Sequence, residues 1–184
     1  MYGMVNEGIR SFVLTHHGAQ TWDDICQIAA LPDKEFQDMQ RYDDSVTYEL
    51  VGAISDRMEL SDTEAMTAFG SYWIDYAGGS RFGPLMTRAG PGFLDQLRGL
   101  DDMHAQVKHA MPDLRPPSFT LEHQSEDIYH LHYVSQRSGL DAMVIGMLHG
   151  LAEETGESID VRQVAEKSDG VDHSVFEITL LRTG

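Results

Sequence analysis

The sequence predicts an α+β domain with a helical front half and a β-β-α-β-β back half. Two observations carry that expectation. Between Val5 and Met111 the apolar residues recur three and four positions apart, with breaks at Gly18, Gly78-Gly79 and Gly90-Pro91-Gly92. After Pro116-Pro117 the rhythm changes to strand-like alternation. The 184 residues contain no repeat, low-complexity tract or long linker. We therefore expect one domain over 1–184, with a helical N-terminal subdomain over 1–60 and a larger α+β subdomain over 61–184.

Val5, Ile9, Phe12, Val13 and His16 share one helical face, and Gly18 should stop that helix. Thr21 can cap a second short helix that turns Trp22, Ile25 and Ala29 inward. A third helix is expected over about Val46 to Met58. Ser61 followed by Glu64 reads as a capping box opening a fourth, with Met66, Phe69, Trp73 and Ala77 on one stripe. A long helix from about Phe93 to Ala110 follows, terminated by Pro112. Strands are expected over Ser118 to Glu122 and Ile128 to Gln136, joined as a hairpin across Gln124-Ser125-Glu126-Asp127. An amphipathic helix carrying Leu140, Met143, Val144, Met147, Leu148 and Leu151 ends at Gly156. Two further strands, Ser158 to Ala165 and Val175 to Arg182, should turn at Ser168-Asp169-Gly170.

A formal charge of −17 argues against nucleic acid or an anionic membrane as partner, since both attract positive potential. No apolar run reaches the length of a membrane span, and the N-terminus lacks the pattern of a signal peptide. The single cysteine, Cys26, leaves no intramolecular disulfide and no multi-cysteine metal site. The expected setting is a reducing cytoplasm. Cys26 itself reads as a small buried hydrophobe beside Trp22, and the paired acids Asp43-Asp44 and Asp101-Asp102 as solvated surface.

Two features point to a site. If Leu131 to Arg137 is extended, Tyr133, Ser135 and Arg137 point the same way, about 7 Å apart in turn. Two hydroxyls and a planar guanidinium fork suit an anion with two or more carboxylates. The second feature is His104. It sits in the stripe Phe93, Leu97, Leu100, His104, Val107, Met111, where an apolar residue belongs. Such a histidine is most often a core residue bonded to a main-chain carbonyl. Here no second histidine or carboxylate lies on that face to complete a zinc site, and Asp101 reads as a solvated group or a support for the ring. A single imidazole does suffice for haem iron, because the porphyrin supplies the other donors. Haem also has two propionates, which the row of hydroxyls and guanidinium could hold.

These residues together resemble the H-NOX family, the haem–nitric oxide/oxygen binding domains that include the haem domain of soluble guanylate cyclase. The resemblance spans essentially the whole chain: Met1-Tyr2-Gly3, the helix with His104, Arg115-Pro116-Pro117, Tyr133-x-Ser135-x-Arg137 and the closing β-α-β-β order. It implies haem b lying between the two subdomains, with a four-stranded antiparallel sheet in the second. It implies His104 as the proximal iron ligand, and Tyr133, Ser135 and Arg137 as the propionate site. Pro117 would press on the macrocycle and Val5 would pack near it. In oxygen-binding relatives a distal tyrosine and a supporting asparagine occupy the positions held here by Ala142 and Trp73, with apolar Met143 adjacent. The resemblance therefore implies binding of nitric oxide and carbon monoxide over dioxygen, although the Trp73 indole is itself a donor. It further implies that gas binding weakens the iron–histidine bond, shifts the subdomains and alters contact with a histidine kinase or diguanylate cyclase in trans.

The chain is expected not to be an enzyme: Ser135 lacks the glycine-flanked elbow of a hydrolase nucleophile. The alternatives are a dioxygen-binding haem sensor, and a non-haem module in which the clamp holds another carboxylate ligand and His104 is core.

Overall fold

The computed structural model describes residues 1–31, 34–167 and 172–181. Helix α1, Gly3–Ile28, is kinked at Gly18, whose φ of 82° is accessible to glycine without a Cβ penalty. The two expected helices are thus present but joined without a loop. Thr21 does not cap the second. Its hydroxyl donates to the His17 carbonyl one turn back, at 2.9 Å, inside the continuous helix. Helix α2, Asp44–Met58, starts ahead of Val46 because Asp43 caps it, accepting from the Ser45 N–H at 2.9 Å. Helix α3, Asp62–Gly78, opens with the expected capping box: Ser61 N–H donates to Glu64 Oε2 at 2.9 Å, and Glu64 N–H to Ser61 Oγ at 3.2 Å.

A short helix α4, Gly83–Met86, and a 3-10 turn, Thr87–Ala89, fill a stretch for which no element was expected. The long helix is two helices, α5 (Phe93–Arg98) and α6 (Leu100–Ala110), separated at Gly99. The 3-10 turn packs so closely there that a Cβ on Gly99 would lie 2.3 Å from Ala89 Cβ. Strands β1 (Ser118–Ser125) and β2 (Ile128–Val134), helix α7 (Asp141–Thr155), and strands β3 (Ile159–Ala165) and β4 (Ser174–Leu180) complete the order. The sheet is antiparallel throughout, in the order β1-β2-β4-β3. The turn expected at Ser168-Asp169-Gly170, and Arg182, lie outside the described residues.

Two main apolar cores result. The front core joins Ile9, Val13, Ile25 and Leu50 to Ala65 and Phe69 of α3, with Cys26 buried as expected. The back core packs Phe93, Leu97, Leu131, Phe176 and Ile178 against Val144 and Leu148 of α7. A smaller cluster sets Val107 and Met111 at the end of α6 against Tyr2, at the start of the chain. The stripe of α5 and α6 is therefore shared: its first half fills the back core and its last half touches the front.

Candidate haem site

His104 lies on α6 between those two packing halves. Its ring faces Phe119 of β1 at a centroid distance of 6.1 Å, and Phe119 faces Tyr133 of β2 at 5.4 Å. The row arises because Phe119 and Tyr133 are register partners in the hairpin. The Nδ1 atom of His104 is buried and has no hydrogen-bond partner among the described residues. One ring nitrogen is therefore open, although the Pro117 carbonyl offers the ring the main-chain acceptor a core histidine would use. Burial pushes the imidazole below its ordinary value, while the Asp101 carboxylate and the main chain of Pro117 pull upward. The net direction favours the neutral ring, the form that can ligate a metal. Asp101 is exposed, as expected, but it also holds two elements together. It accepts from Ser118 Oγ at 2.6 Å and from the Phe119 N–H at 2.8 Å, tying the helix of His104 to β1.

The clamp departs from the strand-face expectation. Strand β2 ends at Val134, so Ser135 and Arg137 lie in the connection to α7 and no single extended face carries all three side chains. They converge by a turn instead: Ser135 Oγ accepts from the Arg137 main-chain N–H at 3.0 Å. Tyr133, Ser135 and Arg137 still line one cavity of about 240 Å3, with Ser138, Asp141 and Lys167. Tyr133 is 6% exposed, and its burial pushes the hydroxyl upward despite a hydrogen bond with Ser135. It stays a neutral donor at neutral pH.

Arg137 is already engaged. Its Nε donates to Asp44 Oδ2 at 2.8 Å, Nη2 to Asp44 Oδ1 at 3.4 Å, and Nη1 to the Arg115 carbonyl at 3.0 Å. Burial raises the Asp44 carboxyl, but Arg137 and the Met1 ammonium outweigh it and leave it below the usual carboxylate range. A guanidinium has five N–H donors, so two remain for another anion. Asp44, read from sequence as surface, is the functional neighbour that pattern reasoning missed. No spacing relates it to Arg137, and only the fold brings α2 to the end of β2.

Val5, Trp73 and Met143 meet around the front core. The Trp73 ring packs against Phe69 at 5.9 Å and Tyr76 at 5.8 Å, and lies so close to α1 that a Cβ on Gly8 would come within 3.0 Å of it. Its indole N–H makes no hydrogen bond among the described residues. Those residues also hold no cluster of three or more His, Cys, Asp or Glu side chains suited to a metal ion. A lone imidazole with an open ring nitrogen, one aromatic ring away from the Tyr133 that lines the hydroxyl and guanidinium cavity, fits haem and not a metal held by protein ligands alone.

No helix among the described residues is long and apolar enough to cross a membrane. A model of the haem-NO-binding family matches residues 2–163. Soluble guanylate cyclase gcy-31 of Caenorhabditis elegans is 28% identical over 84% of this chain and 22% of its own length. Soluble guanylate cyclase gcy-33 of the same organism is 31% identical over 83% of this chain and 16% of its own length. The chain thus spans about a fifth of the curated relatives it matches. An H-NOX protein from S. oneidensis in the Fe(II)NO ligation state superposes with a TM-score of 0.88 at 20% identity, covering 99% of this chain and 100% of that one. With residues 2–163 of its 184 matched, this chain belongs to the haem-NO-binding family.

Proposed function

We propose that the chain is a haem-based gas sensor that binds nitric oxide, and carbon monoxide, at ferrous haem b, discriminates against dioxygen, and reports to a separate partner. The observation that carries this reading is the buried, unpartnered Nδ1 of His104, on an inward-facing ring that burial keeps neutral. His104 would hold the iron. Tyr133, Ser135 and the two free donors of Arg137 would hold the propionates, with Pro117 and Val5 near the ring. Haem supplies a ferrous centre able to bind diatomic gases. The protein supplies the wall: Ala142 offers no donor, Met143 is apolar, and the bulk of Trp73 is fixed by Phe69, Tyr76 and Gly8. Bound dioxygen gains most from a distal donor, so this wall favours nitric oxide.

Two links would carry the state of the site forward. Val107 and Met111 couple the helix of His104 to Tyr2, and Arg137 couples the clamp to α2 through Asp44. A change in how firmly His104 is held would thus be felt in the front half, where the two packings of a switch must differ. The partner, a histidine kinase or a diguanylate cyclase, would read that change in the cytoplasm, a setting that the lone buried Cys26 supports.

The test is to titrate purified ferrous protein with nitric oxide and record its spectrum. An intense haem absorption that shifts stoichiometrically supports the reading. Colourless protein from haem-replete cells supports instead a module that holds another carboxylate ligand. The unpaired indole N–H of Trp73 favours a second reading, a dioxygen sensor. A ferrous–oxygen complex persisting in air would establish it over the first.

A further inference from the structure

Beside the clamp lies a second cation. Lys167, just beyond β3, donates from Nζ to the Ser135 main-chain carbonyl at 2.6 Å. Its own N–H donates to Ser174 Oγ at 3.3 Å. Ser174 is 1% exposed and is the register partner of Tyr133 across β2 and β4. Lys167 therefore reaches from the strand beside Tyr133 to the residue midway between Tyr133 and Arg137. It lines the same cavity as all three.

The charges in that cavity give the lysine a second consequence. Its lining holds Arg137 and Lys167 against Asp141 and Glu166. One Asp141 oxygen, Oδ1, is buried with no hydrogen-bond partner among the described residues. Arg137 is further neutralised by Asp44. Without Lys167 the lining is net negative, and a carboxylate entering it would be repelled.

We propose that Lys167 is a positioning residue of the propionate clamp. It pins the Ser135 main chain, so that the Ser135 hydroxyl and the Arg137 turn stay aimed at the carboxylates, and its charge offsets Asp141 and Glu166. The proposal rests on the haem reading above and adds a residue outside the Tyr-x-Ser-x-Arg motif.

The test measures haem transfer from the full chain to excess apomyoglobin, for wild type, Lys167→Met and Lys167→Arg. Loss of one charge-assisted contact should speed haem loss in the methionine variant roughly tenfold, and arginine should restore most of the retention. The measurement is repeated with haem dimethyl ester, whose propionates are masked. The wild-type advantage should then vanish, and thermal unfolding of the apoproteins should match. Should Lys167→Met fail to fold, Lys167→Gln gives the same comparison with a neutral donor. Equal haem loss in wild type and variant, or a tenfold difference that survives esterification, overturns the role of Lys167 alone. A wild-type protein that binds no haem overturns the haem reading itself.

Discussion

The guanidinium of Arg137 grips the carboxylate of Asp44 through two hydrogen bonds, Nε to Oδ2 at 2.8 Å and Nη2 to Oδ1 at 3.4 Å. This pair joins the connection after β2 to the first residue of α2, and so ties the candidate haem edge to the front half of the molecule. The Met1 ammonium adds a further contact to the same carboxylate. The Asp44 side chain is 39% exposed, so solvent screens the pair, and its two-point geometry is what lifts it above an ordinary surface bridge.

Asp44→Asn should lower stability by about 1 kcal/mol at neutral pH, measured by urea unfolding of the apoprotein. The sign of its pH dependence follows from the lowered carboxyl value. The contribution is complete above the ordinary carboxylate range and disappears as pH falls through that range to the folded-state value. The gap between wild type and variant should therefore close in strongly acidic buffer. A gap of constant size at every pH would mean that the carboxylate charge is not what stabilises this contact.

His104→Gly removes the proposed axial donor and should empty the haem site, with exogenous imidazole restoring the absorption. The cavity left by the ring admits the free ligand in its place. Unchanged haem affinity and spectrum in the variant, without imidazole, would show that His104 does not hold the iron.

The depressed His104 value makes a separate prediction for the apoprotein. Folded His104 binds its proton less readily than the unfolded chain does, so stability falls as pH drops below the ordinary histidine value. His104→Leu keeps the stripe apolar and removes this titration. Between neutral and mildly acidic buffer, wild type should lose more unfolding free energy than the leucine variant. Parallel curves would contradict the burial assigned to the ring.

How far the sequence reveals this arrangement depends on the kind of signal each part leaves. The capping box at Ser61 and Glu64 is local chemistry and is legible before any fold is known. His104 is legible because a polar residue interrupts an apolar period. The break at Gly99 is not, since α5 and α6 keep the same apolar spacing across it. Alternation likewise carries the strand reading past Val134, although the ladder stops there and the Ser135 hydroxyl closes a turn instead. Asp44 and Lys167 leave no trace, because each meets the clamp through contacts between segments distant in the chain.

Glycines on facing helices set the spacing of the proposed distal wall, and they can be tested directly. A Cβ on Gly146 of α7 would lie 2.0 Å from the Thr67 carbonyl oxygen, and one on Gly70 of α3 would lie 2.3 Å from the Met143 carbonyl oxygen. Both clashes are with backbone, so a side-chain rotation cannot relieve them. Gly146→Ala must push α3 and α7 apart and should cost about 1–3 kcal/mol, outweighing the gain in helix propensity. Gly52 in the interior of α2 has nothing within 4 Å of its added Cβ, so Gly52→Ala should instead stabilise by up to about 1 kcal/mol. Opposite signs from the same substitution would isolate the close approach of α3 and α7, the helices that carry Trp73 and Met143. If both variants gain stability, α7 can move away from α3 at little cost, and the distal wall is softer than these contacts require.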